Sequence, residues 1–126
     1  MSCKTVVVVE LDACIRDTLV EILSEAGYAA RGATNVAEAR AILAQVPHPC
    51  LILADLLSTG MYGEDFLQMR RQDDILIQIP VAVMSSIAVD PDEKEALHAQ
   101  GADAYLKKPF DIDLFLHTVR RFCGMV

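Results

Sequence analysis

The stretch Cys50-Leu51-Ile52-Leu53-Ala54-Asp55-Leu56-Leu57-Ser58-Thr59-Gly60-Met61-Tyr62-Gly63 decides how the chain is read. Leu51 to Ala54 is a short unbroken apolar run, with Pro47 and Pro49 before it and Gly60 and Gly63 after it. A run of that length with those flanks suits a strand buried on both faces, as in a parallel sheet. It stops at a carboxylate, Asp55, where the chain leaves the core. In open α/β sheets the crevice beyond the carboxyl ends of the strands is where ligands bind. The other strand ends therefore have to be read for chemistry as well.

Working outward, the first strand is Thr5 to Val9, β-branched throughout and ending at Glu10-Leu11-Asp12. A helix over about Ala13 to Ala26 follows, with Ile15, Leu19, Ile22, Leu23 and Ala26 at helical spacing. Arg16, Asp17, Glu21 and Glu25 fall on its outward side, Asp12 is placed to cap it, and Gly27 to stop it. Ala29 to Ala33 is a weaker strand. Asn35 then caps a helix to about Val46, with Glu38 in a capping-box position. After Asp55 a helix is expected from Gly63 to about Gln72, then a strand from Val81 to Met84 ending at Ser85-Ser86. Asp90-Pro91-Asp92-Glu93 starts a helix that ends near Gly101. Asp103 to Lys107 is a short fifth strand leading to Lys108-Pro109, and Asp111 caps a last helix carrying Leu114, Phe115, Val119, Phe122 and Cys123. Five strands alternating with five helices predict an α/β fold, a parallel sheet covered on both faces. With no repeat or linker, residues 1–126 read as one domain.

Composition narrows the function. Apolar residues make up 53% of the 126, so disorder is excluded, and no aliphatic run is longer than a strand, so no membrane span or secretory signal is expected. A net charge of −7 argues against a nucleic-acid surface, which needs clustered Lys and Arg. Cys3, Cys14, Cys50 and Cys123 show no C-x-x-C spacing, and His48, His98 and His117 show no metal-type spacing with them. Cys14 and Cys50 are accordingly read as small buried hydrophobes in a reducing cytoplasm.

The residues just past the strand ends are Glu10 and Asp12, Asp55, Ser85 and Lys108. Right-handed crossovers that place these strands side by side turn all of them to one crevice. Carboxylates at that density favour a hard cation such as Mg²⁺, while a Lys and a hydroxyl suit phosphoryl oxygens. The physical reading is a phosphorylation site with Asp55 as nucleophile. Taken singly, Asp55 reads as a turn residue, Ser85 as a backbone partner and Lys108 as a surface lysine. Their joint register is the signal.

On these residues the chain resembles the receiver domain of two-component response regulators over essentially its whole length. The matching features are Val6-Val7-Val8-Val9-Glu10, Asp55 with Gly60-Met61-Tyr62-Gly63, Ser85, Gly101-Ala102-Asp103 and Tyr105-Leu106-Lys107-Lys108-Pro109-Phe110. The resemblance implies a five-stranded flavodoxin-like fold in a cytoplasmic signalling protein that is not an enzyme. It implies that Asp55 takes a phosphoryl group from a phosphohistidine on a histidine kinase or phosphotransfer protein. Lys108 would then pair with phosphoryl oxygens, Ser85 would bond one of them, Tyr105 would move inward as a switch, and Lys108–Pro109 would be cis. Mg²⁺ would be held by Glu10, Asp55 and the Leu57 backbone carbonyl, with Asp12 as a further candidate ligand. The face of the fourth helix, fifth strand and last helix would meet a downstream effector or a second copy in a homodimer. The chain closes with the last helix, so no attached nucleic-acid-binding unit is expected.

Three departures bear on that expectation. The second acidic position of the family is Leu11 here, Asp12 stands one residue later at a helix start, and Ser58-Thr59 replaces the common Met-Pro. Ser85 is the smaller of the two accepted hydroxyl residues. Two unit charges at ~4 Å interact by ~4 kcal/mol at a near-surface dielectric, so a lost carboxylate weakens Mg²⁺ substantially. A degenerate receiver, an interaction module independent of phosphorylation, is the alternative reading. A hydrolase of the haloacid dehalogenase type is a third. It would need a second Asp where Leu57 stands, leaving no group to protonate a leaving group.

Overall fold

The computed structural model describes residues 4–46, 48–55, 63–85, 91–99, 101–108 and 111–124, with backbone alone at 63–66 and 93. Five strands, β1 (Thr5–Val9), β2 (Ala29–Ala33), β3 (Leu51–Asp55), β4 (Val81–Ser85) and β5 (Ala104–Lys107), alternate with five helices. These are α1 (Ala13–Glu25), α2 (Val36–Leu43), α3 (Gly63–Arg71), α4 (Pro91–Ala99) and α5 (Ile112–Cys123). Three of the caps read from the sequence are made. Asp12 accepts from the Ile15 N–H (3.0 Å), Asn35 from the Glu38 N–H (2.8 Å), and Asp111 from the Asp113 N–H (2.7 Å). The returning half of the α2 capping box differs: Glu38 Oε2 accepts from the Thr34 hydroxyl instead (2.7 Å). Gly27, at φ 98°, takes the left-handed turn after α1 that a side chain would resist.

The strands form one parallel sheet in the order β2-β1-β3-β4-β5. Period-two alternation divides their side chains between two layers. Val6, Val8, Leu51, Leu53, Ala82, Met84 and Leu106 pack with Leu19 and Leu23 of α1 and Phe115 and Val119 of α5. Val7, Val9, Ile52, Ala54, Val81 and Val83 pack with Ala39, Ile42 and Leu43 of α2, Leu67 of α3 and Leu97 of α4. Both faces are therefore covered, which is why the inner strands β1, β3 and β4 are buried throughout and do not alternate. Among the described residues no helix is long and apolar enough to cross a membrane.

Several side chains lie elsewhere than their spacing suggests. A 3₁₀ turn at Leu76–Gln78 lies between α3 and β4. The cluster Arg70, Arg71, Asp73 and Asp74 reads from sequence as a solvated helix end, yet Arg70 is buried. Its Nε and Nη2 donate to the Ile79 carbonyl (3.3 and 2.7 Å), and its Nη1 donates to the Gly101 carbonyl (3.0 Å). Burial lowers its pKa, opposed by the charge of Asp103, whose Oδ2 lies 3.5 Å away and also accepts from the Val81 N–H. Arg70 thus ties the end of α3 to the start of β4 and to the turn before β5. Asp73 caps the 3₁₀ turn, accepting from the Leu76 and Ile75 N–H groups and pairing with Arg40 at 3.0 Å. Those contacts, the Leu76 bond foremost, lower its pKa against a smaller opposing effect of burial.

Both cysteine expectations are overturned. Cys14 is exposed, and Cys50 is joined to Cys123 in a disulfide. The pairing links residues 73 apart in sequence, so no local spacing motif announces it. Ile15 and Leu114, expected in the core, are partly exposed at 37% and 55%. The packed stripe of α1 narrows to Leu19 and Leu23, and that of α5 to Phe115, Thr118, Val119 and Cys123.

Candidate functional site

The site follows from register. The last paired residues of β1 and β3 are Val9 and Ala54, so one further step sets Glu10 beside Asp55. Glu10 extends the ladder on its other side, its N–H donating to the Ala33 carbonyl (2.9 Å). In the alternation of β1, Glu10 falls in step with Val6 and Val8, and Asp55 falls in step with Leu51 and Leu53. Lys108 is in step with Leu106, so all three belong to the layer covered by α1 and α5. Lys108 is itself brought in by β4, its N–H donating to the Ser85 carbonyl (2.8 Å).

The result is a lysine held between two buried carboxylates. Lys108 Nζ donates to Glu10 Oε1 and to Asp55 Oδ2. The side chains are only 12%, 3% and 6% exposed respectively, so none of these charges has much recourse to water. Burial acts to lower the lysine pKa. The hydrogen bonds and charges of Asp55 and then Glu10 outweigh it, and the ammonium is held above its ordinary 10.5. The cluster keeps a formal excess of one negative charge. Ser85 is buried at the end of β4. It is in step with Val81 and Val83, on the same side of the sheet as Tyr105, which packs against that layer while the Lys94 ammonium lies 5.2 Å from its ring centroid. The alternation thus puts the carboxylate–lysine cluster on one face of the sheet and Ser85 and Tyr105 on the other.

Residues 6–120 match the response regulator receiver domain. The chain belongs to that family. Its relatives include the phosphate regulon transcriptional regulatory protein PhoB of Pseudomonas aeruginosa, 30% identical over 85% of this chain and 46% of that protein. The polar-differentiation response regulator DivK of Brucella anthropi is 29% identical over 96% of this chain and 97% of its own. This receiver thus spans about half of PhoB and nearly all of DivK. Among solved structures, the chemotaxis response regulator CheY4 of Vibrio cholerae has a TM-score of 0.81 at 27% identity, covering 96% of this chain and 99% of that one. The beryllofluoride-activated NtrC4 receiver domain dimer has a TM-score of 0.81 at 25% identity, covering 94% and 95%. The chain is a response regulator receiver domain of the two-component type with the flavodoxin-like fold.

Within this receiver the β1–α1 loop departs from the expected metal shell. Leu11 is 67% exposed and offers no ligand atom on its side chain. Asp12 Oδ1 is engaged as the α1 cap, so its place at the helix start decides its direction. Among the described residues no three His, Cys, Asp or Glu side chains form a metal-type group. Glu10 and Asp55 remain as two neighbouring carboxylates, and Mg²⁺ binds through one or two carboxylates completed by water and phosphate oxygens. The donor set fits that reduced form. The expectations for the Leu57 carbonyl, the Gly60-Met61-Tyr62 loop, the Asp90 cap and the Lys108–Pro109 bond lie outside the described residues.

The spacing missed Arg16. It reads as an outward residue of α1, but its Nη1 donates to the carbonyls of Glu10 (3.0 Å) and Leu11 (3.4 Å). Its stem crosses Gly32 of β2, where an added Cβ would meet Arg16 Cγ at 2.9 Å and Cδ at 3.0 Å. A glycine inside a strand often marks a close approach, and Gly32 was the available signal.

Proposed function

We propose that this receiver is a phosphoacceptor in a two-component relay, with Asp55 as the residue modified. The observation that carries the reading is the Lys108 ammonium between buried Glu10 and Asp55 at the carboxyl edge of the sheet. An Asp55 carboxylate oxygen attacks the phosphorus of a phosphohistidine on a histidine kinase or phosphotransfer protein. The N–P bond breaks, imidazole leaves, and an acyl phosphate remains. Lys108 already faces Asp55 and offers N–H donors to the incoming oxygens, while Ser85 at the end of the next strand offers a hydroxyl. Glu10 and Asp55 are the residues that would hold Mg²⁺, which when bound offsets charge on the phosphoryl oxygens.

Tyr105, half-buried between core and solvent, is the candidate to report the change to α4, β5 and α5. That face would shift its population toward an effector-binding form, and in a second copy toward a homodimer.

The test is incubation with a small acyl-phosphate donor and Mg²⁺, read by intact mass. Gain of one phosphoryl group, lost in Asp55→Asn, is the expected result. Exposed Leu11 is the observation that favours a phosphorylation-independent interaction module instead. An unmodified Asp55 at millimolar Mg²⁺ would decide for that module.

A further inference from the structure

Away from the Asp55 crevice, the molecule carries a second reactive arrangement at the opposite end of the sheet. Cys50 immediately precedes β3, its N–H donating to the Thr5 carbonyl (2.9 Å), and Cys123 is the last residue of α5. Their disulfide spans 5.2 Å between Cα atoms and 73 residues of chain. Asp55 stands at the other end of β3, and α5 begins a few residues beyond Lys108. The bridge therefore joins the far ends of the strand that carries the acceptor carboxylate and of the helix that follows the lysine.

Two observations separate this bridge from a staple required for folding. The core is already built without it, from the two layers on either side of the sheet, and a chain of this length needs no cross-link to bury one. The end of α5 also has its own fastening, the Tyr28 hydroxyl donating to the Gly124 carbonyl (2.7 Å), while Phe115 and Val119 hold its middle. The two sulfurs differ in access. Cys50 is half-buried, whereas Cys123 is only 7% exposed. A thiolate approaching from solvent meets Cys50 first, and access governs which sulfur is attacked.

We propose that Cys50–Cys123 is a thiol–disulfide exchange site, through which a dithiol reductant sets how firmly the end of α5 is held to the sheet. A thiolate of the dithiol attacks Cys50 Sγ, the Sγ–Sγ bond breaks, and Cys123 leaves as a thiolate and takes up a proton. The second thiol of the reductant then attacks the mixed disulfide and releases Cys50. Two electrons and two protons pass to the receiver, and the dithiol becomes a cyclic disulfide. In the reduced form α5 keeps its core contacts and the Tyr28 bond but loses the covalent tie at its last residue. None of this depends on the reading of Asp55.

The experiment uses the intact chain purified without reductant, then equilibrated in dithiothreitol buffers of graded redox ratio. Alkylation and peptide mass mapping follow the bridge, with Cys14 the free thiol among the described residues. Expected is a cross-linked Cys50–Cys123 peptide that opens reversibly under native conditions. Amide exchange over residues 120–124 should rise roughly tenfold or more on reduction, ahead of the core. Tm should fall by about 10 °C in reduced protein and in Cys50→Ser alike, with Cys14→Ser unchanged. Cys50 and Cys123 alkylated in the untreated protein would overturn the proposal. A bridge that opens only on global unfolding, or reduction that leaves both α5 exchange and Tm unmoved, would do the same. Reduction of the natural chain needs no variant, so poor folding of Cys50→Ser leaves the test intact.

Discussion

Replacing Lys108 by Met tests the electrostatic core of the site most directly. The substitution keeps much of the apolar stem and removes only the ammonium. It leaves Glu10 and Asp55, each 4% exposed or less, facing one another without that ammonium. Removing one partner of a buried ion pair costs about 3–5 kcal/mol, because the remaining charge is left without compensation. The lower figure, about 3 kcal/mol, is the expected cost. For a chain of this size that is a fall in Tm of roughly 10 °C. Urea denaturation at neutral pH without divalent cations is the assay, with Asp55→Asn as a second arm. In the Asp55→Asn background one of the two opposed carboxylates is gone, so Lys108→Met should cost about 1–2 kcal/mol less there, a coupling readable from a double-mutant cycle. The pH dependence has a definite sign. Because the folded protein holds Lys108 above its ordinary 10.5, its stabilisation is fully present below that value and is lost only as pH rises through the raised one. The cost of Lys108→Met should then stay level across neutral pH and shrink in strong alkali. A cost below about 1 kcal/mol with no relief from Asp55→Asn would refute the view that this lysine neutralises a buried acidic pair.

Other substitutions examine the surroundings. Leu11→Asp places a third carboxylate at the crevice and should tighten Mg²⁺ by roughly tenfold or more, read by amide NMR titration; an unchanged affinity would mean the loop cannot present it. Arg70→Ala strips donors from the Ile79 and Gly101 carbonyls and should cost about 3 kcal/mol, with Arg70→Lys recovering only a part because an ammonium lacks the planar fork. Gly32→Ala drives a methyl into the Arg16 stem and should cost about 1 kcal/mol. Its more telling readout is faster amide exchange at Leu11 and Asp12, and unaltered exchange would show that Arg16 does not hold that loop.

Much of the architecture was already written locally. The β-branched run at Thr5–Val9, the apolar run at Leu51–Ala54, the caps at Asp12, Asn35 and Asp111 and the stop at Gly27 each depend on a few neighbouring residues. Such signals survive in one dimension because backbone preferences and hydrogen bonds to the next turn act over three or four residues. The positions of Glu10, Asp55, Ser85 and Lys108 at strand ends were legible for the same reason. The meeting of Glu10, Asp55 and Lys108 was not local, and it required the strand order β2-β1-β3-β4-β5 and the one-step register from Val9 and Ala54 to Glu10 and Asp55.

What only the tertiary structure decided concerns side chains whose partners lie far along the chain. Arg70 looks like any surface arginine beside Asp73 and Asp74 until Ile79 and Gly101 bring carbonyls to its guanidinium. Arg16 looks outward until Gly32 of β2 makes room for its stem. Cys50 looks like a small hydrophobe until the end of α5 delivers Cys123. Periodicity assigns a side chain to a face of its own element, whereas the other elements decide what stands opposite that face, and that information is not carried by any short window of sequence.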